Sequence, residues 1–138
     1  MVSEDLRTLV EAAGLGTFGT SLFFGSKATI PTGDGPFVSL IETGGATPEG
    51  THNSTTKPAY VRPSVQVVAR AKRRDDARNR AQALYLLLYP VRDQFVNGTW
   101  WRSVTLVQEP FDLGVDDAGR IRFAFNINVV KRLDPASS

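Results

Sequence analysis

The sequence predicts an α+β fold: a single, largely antiparallel β-sheet with a short N-terminal helix and one long helix packed on it, in the order α-β-β-β-α-β-β. Three observations predict it. An amphipathic run with helical spacing fills residues 75–95, several runs of β-branched and aromatic residues alternate with period two, and clusters of Gly, Pro, Asn and Asp separate them. Strands and helices in this mixed order bury their apolar faces best as helices lying on one side of a sheet. The 138 residues, 41% hydrophobic and 22% charged, are expected to form one domain spanning 1–138.

Ser3 offers an N-cap hydroxyl, Glu4 and Asp5 suit a first helical turn, and Leu6, Leu9, Val10 and Ala13 follow with helical spacing. Gly14 and Gly16 end this helix. Residues 20–25, TSLFFG, form a brief first strand, and 37–43, FVSLIET, a second; the intervening ATIPTGDGP is too rich in turn residues for a regular element. Residues 44–57 hold no large apolar side chain and are expected to be a long flexible loop.

The third strand covers 60–71, with Val65, Val67 and Ala69 alternating against Gln66, Val68 and Arg70. A helix then starts near Asp75, and its apolar positions Ala77, Ala81, Leu84, Leu88, Val91 and Phe95 recur at steps of three and four. Pro90 predicts a kink or a stop near Tyr89, and Asn97-Gly98 turns the chain. The last third reads as a hairpin: TWWRSVTLVQ pairs with RIRFAFNINVV across a link holding Asp116, Asp117, Ala118 and Gly119. Residues 134–138 make a short polar tail.

Chemistry is sparse. With no cysteine and a single histidine, His52, placed in the most polar segment, neither a transition-metal site nor a histidine-based nucleophilic centre has its usual ligands or base. Asp75/Asp76 read as helix-start acids and Asp116/Asp117 as turn acids, so no catalytic carboxylate pair is expected. GSKATIPTGDG lacks the spacing of a phosphate-binding loop. No catalytic residue, cofactor or metal is predicted. The longest apolar run, 83–91, is broken by Pro90 and falls short of a membrane span, and the acidic N-terminus does not read as a secretory signal.

Charge is unevenly spread. Residues 1–57 carry 3 Lys/Arg and 6 Asp/Glu, while 58–138 carry 13 and 8. Two surfaces of unlike sign favour directional contacts. The cluster Arg70, Lys72, Arg73, Arg74, Arg78 and Arg80 is the strongest cationic feature; it reads first as a solvated connection and helix face, and where it makes a contact, as a subunit contact ahead of a nucleic-acid surface.

IETGG, followed by YVRPSVQVVARA and the arginine- and alanine-rich helix KRRDDARNRAQAL, within this order of elements, resembles the tail terminator (minor capsid, tail completion) proteins of long-tailed bacteriophages over Leu6 to about Lys131. The resemblance implies a structural virion protein, not an enzyme. It implies a homo-hexameric ring that caps the tail tube protein at the head-proximal end and meets the head-completion or stopper protein. DNA passes only through the ring lumen, no membrane is involved, and assembly takes place in the host cytoplasm. The alternative function is a small nucleic-acid-binding or adaptor domain using 70–80. The expected subunit or partner contacts are Thr43, Gly44, Glu49, His52, Lys57, Arg70, Lys72, Arg73, Arg74 and Arg78.

Overall fold

The structure, a computed structural model, describes residues 2–19, 21–24, 36–49, 60–115 and 119–132. The elements are α1 (Val2–Ala12), β1 (Leu22–Phe24), β2 (Phe37–Glu49), β3 (Tyr60–Ala71), α2 (Arg74–Leu88), β4 (Arg92–Val96), β5 (Thr99–Leu106), β6 (Phe111–Val115) and β7 (Ile121–Arg132). The expected order holds, and its closing β-β part resolves into four strands.

All seven strands form one sheet in the order β1-β2-β3-β7-β5-β4, with β6 also on β7. β1 runs parallel to β2; every other pairing is antiparallel. β7 is the central strand. β3 pairs along its full length on one side, while β5 and β6 share its other side, β5 against 127–131 and β6 against 121–124.

Both helices lie on the same face of this sheet. Val2, Leu6 and Val10 of α1 and Leu84 and Leu88 of α2 bury against Val38, Leu40, Val65, Val67, Phe125, Ile127 and Val129 in one core. The alternation expected for β3 and β7 is what aims those strand residues at the helices. Each fully buried aliphatic or phenylalanine side chain contributes about 1.5–3 kcal/mol of transfer free energy. A bulge between Trp101 and Ser103 lets Trp101 and Val104, three residues apart, face the same core.

The helix ends follow local chemistry. α1 stops in a Schellman turn: Gly14 sits at φ 73°, its N–H donates to the Glu11 carbonyl, and the Leu15 N–H donates to the Val10 carbonyl. α2 begins with Asp75 and Asp76 in its first turn and stops at the cap residue Tyr89, one residue before Pro90.

Four expectations need correction. The apolar stripe of α2 does not continue to Phe95: the helix ends at Leu88, and Phe95 lies on β4 with 70% of its surface exposed. Residues 44–49, expected as loop, extend β2, which Gly44 at φ 93° carries past a bulge to pair Gly45 with Pro63 and Glu49 with Tyr60; residues 50–57 and the tail 134–138 lie outside the described residues. Ser3 is not an N-cap, because the helix already includes Val2, and its hydroxyl donates to Glu42 of β2 at 2.8 Å. The closing hairpin across 116–119 joins β6 to β7, and β5 reaches β7 from farther back in the chain.

Candidate functional site

Three places bring polar side chains together. The first is buried. Asp5 of α1, 2% exposed, accepts hydrogen bonds from Lys131 Nζ at 2.9 Å, Trp101 Nε1 at 3.1 Å and Asn97 Nδ2 at 3.3 Å. Lys131 is itself 2% exposed, so the ion pair is shielded from solvent. Its three donors come from β7, β5 and the β4–β5 turn, and it therefore pins α1 across the distal half of the sheet. An ion pair this deep is weak evidence of net stabilisation, yet breaking it on one side costs about 3–5 kcal/mol. Sequence reasoning assigned Asp5 to helix-dipole duty and missed this node. The available signal was Lys131, which occupies the next inward position after Ile127 and Val129 in an otherwise apolar series.

The second place is the basic stretch 70–80, which the fold takes apart. Arg70 lies on the sheet face away from the helices, with its guanidinium 5.1 Å from the centre of the Phe37 ring opposite it. Arg74 donates to Asp112 at 2.7 Å and lies 5.0 Å over Phe123. The hydrogen bond from Arg74, reinforced by the Gly114 N–H at 2.8 Å, holds the Asp112 carboxyl below the usual aspartate range. Arg80 donates to the Leu15 carbonyl just beyond α1. Lys72, Arg73 and Arg78 stay exposed.

The third place is the far end of β2 and β3. Glu49 sits opposite Tyr60 there, while Thr43 and Gly44 are exposed farther back, at the bulge between the Glu42–Val65 and Gly45–Pro63 pairs; His52 and Lys57 lie outside the described residues. β3 separates Tyr60 from Arg70 by about 33 Å at ~3.3 Å per residue. Among the described residues, Glu49 and Arg70 thus lie near opposite ends of β3, with Thr43 and Gly44 between them. Among the described residues no group of His, Cys, Asp or Glu is arranged to hold a metal, and no helix is long and apolar enough to cross a membrane.

Comparison with known proteins gives this architecture a family. No curated protein matches the chain. Among solved structures it is similar to a chain of the virion of a native gene transfer agent particle, at 16% identity and a TM-score of 0.56, covering 96% of this chain and 92% of that one. A second solved chain, 14% identical with a TM-score of 0.56, is covered to 94% and covers 97% of this chain. At such identities these likenesses establish a shared fold. The family model of the bacteriophage tail terminator proteins matches residues 9–132, nearly the whole chain from late α1 to the end of β7, and the chain therefore belongs to the bacteriophage tail terminator family.

Proposed function

We propose that the chain is the subunit of a closed ring, hexameric in stoichiometry, that caps the tail tube at its head-proximal end and presents its other side to the head-completion protein. Membership of the tail terminator family over residues 9–132 is the observation that carries this reading. It supports a structural component of a virion tail.

The geometry supports this reading. Heterologous contacts join one surface of a subunit to a different surface of the next. Here the helices occupy one sheet face, and of the candidate contacts among the described residues Glu49 pairs with Tyr60 at one end of β3 while Arg70 lies near the other, leading into Lys72, Arg73, Arg74 and Arg78. Leu86 and Tyr89, three residues apart on α2, leave 60% and 65% of their surfaces exposed and add apolar area of the kind a subunit contact covers. Within the cationic group, Arg74 is already held by Asp112.

Light scattering on the purified protein, alone and with tail tube protein, tests the reading. A discrete hexamer, or a subunit that associates with tube ends and arrests their growth, is expected. A monomer at high concentration that leaves tube growth unchanged contradicts it.

A further inference from the structure

The sheet face turned away from the helices gathers arginines that lie far apart in the sequence. Tyr60 of β3 is opposite Arg132 of β7, and Ser64 is opposite Asn128, with Arg62 between them on the same face. Ser103 of β5 is opposite both Val130 of β7 and Arg92 of β4. Arg102, in the bulge beside Ser103, places its guanidinium 5.8 Å over the Tyr60 ring. Arg62, Arg132, Arg102 and Arg92 therefore fall within neighbouring rows of four adjacent strands, a band about 15 Å wide at ~4.8 Å per strand. Arg92, Arg102 and Arg132 are exposed and Arg62 is half-buried. Among the described residues, Glu49 is opposite Tyr60 in register and Asp93 is next to Arg92.

We propose that this band is a sequence-independent binding surface for the phosphate backbone of duplex DNA. Its charge favours DNA over a protein partner. The centre of a protein interface is poor in charge, whereas four guanidiniums meet on this face among Ser64, Gln66, Asn126, Asn128 and Thr105, with Val130 between them and the Phe95–Trp100 ring pair at the β4–β5 edge. Polar, wet and strongly cationic is the character of protein–DNA contacts. Guanidiniums match phosphate oxygens in a two-pronged geometry, and the Tyr60 ring holds one of them in place before the ligand arrives. The ring reading explains why a tail protein would meet DNA, but the surface itself rests on strand register and is tested without the ring.

The test is the binding of a short fluorescent duplex of mixed sequence, followed by anisotropy, with the oligomeric state of each variant measured in parallel by light scattering. Four phosphate contacts predict a log–log salt slope near −3.6, hence a loss of about 150-fold between about 50 and 200 mM salt. R62A/R102A/R132A should leave one contact and a slope near −0.9. R102A/R132A changes only exposed side chains and should lower the slope by about 1.8 with no change in folding. K72A/R73A/R78A, at the entrance to α2, should leave duplex affinity within about twofold. The proposal is overturned if the first two variants bind as the wild type does, if the α2 variant alone loses binding, or if polyglutamate competes as well as DNA at equal charge. Because assembly is read separately, a protein that forms rings but binds no duplex refutes the DNA surface and leaves the ring standing.

Discussion

Asp5 is the residue on which the seating of α1 depends. Its carboxylate accepts from donors in three other segments, two of them buried, so Asp5→Ala strands a buried ammonium and an indole N–H. Denaturant unfolding should show a loss of about 3–5 kcal/mol, while Asp5→Leu combined with Lys131→Met should recover most of it, since an apolar pair of similar volume avoids burying charge. If the double variant is no better than the single one, the node does more than pair two charges. At the surface, Arg74 lowers the Asp112 pKa, so the pair favours the folded state at pH values above the ordinary aspartate range and that contribution is lost as pH falls through the lowered value. Arg74→Ala should move the Asp112 titration, followed by NMR, back up toward the ordinary value. An unmoved titration would mean that the Gly114 N–H alone sets it.

At the scale of elements, the β4–β5 hairpin shows both what the sequence reveals and what it hides. Asn97 and Gly98 adopt φ values of 50° and 80°, the left-handed pair that a two-residue hairpin turn demands. Gly98→Ala should cost about 1–2 kcal/mol in thermal or denaturant unfolding, with no steric clash involved, because the space around Gly98 is open. An unchanged stability would show that the turn tolerates a side chain there. Asn97-Gly98 was legible as a turn, but the strand before it was not: Val91 and Phe95 prolong the i, i+4 spacing of α2, and only the backbone stop at Pro90 separates them from the helix. Periodicity showed β3, β7 and both helices well, since each buries one regular face. The 44–49 part of β2 escaped for the opposite reason, because a strand held by pairing with β3 needs no apolar residues of its own. The arginine band was also hidden, as its members come from β3, β4, β5 and β7, and only strand register makes them neighbours. The contiguous cluster at 70–80 drew attention to itself in sequence and was dispersed by the fold, with Arg70 on one face and Arg74 and Arg80 tied down on the other.

For the whole molecule, a sheet with both helices on one side and arginines on the other has two chemically distinct faces, and the helix side exposes the apolar Leu86 and Tyr89. On the proposed ring reading, that division gives a neighbour, a tube and a passing polyanion different surfaces to meet. Leu86→Asp with Tyr89→Asp should weaken self-association without unfolding the chain, since both side chains are already largely in water; circular dichroism with light scattering would check this, and undiminished association would remove α2 from the subunit contact. The most direct measurement of the central claim is the length of tail tubes, by electron microscopy, polymerised with and without this protein. A tail terminator ring predicts short tubes of uniform length with a single closed ring at one end. Tubes of unaltered length with bare ends would contradict it.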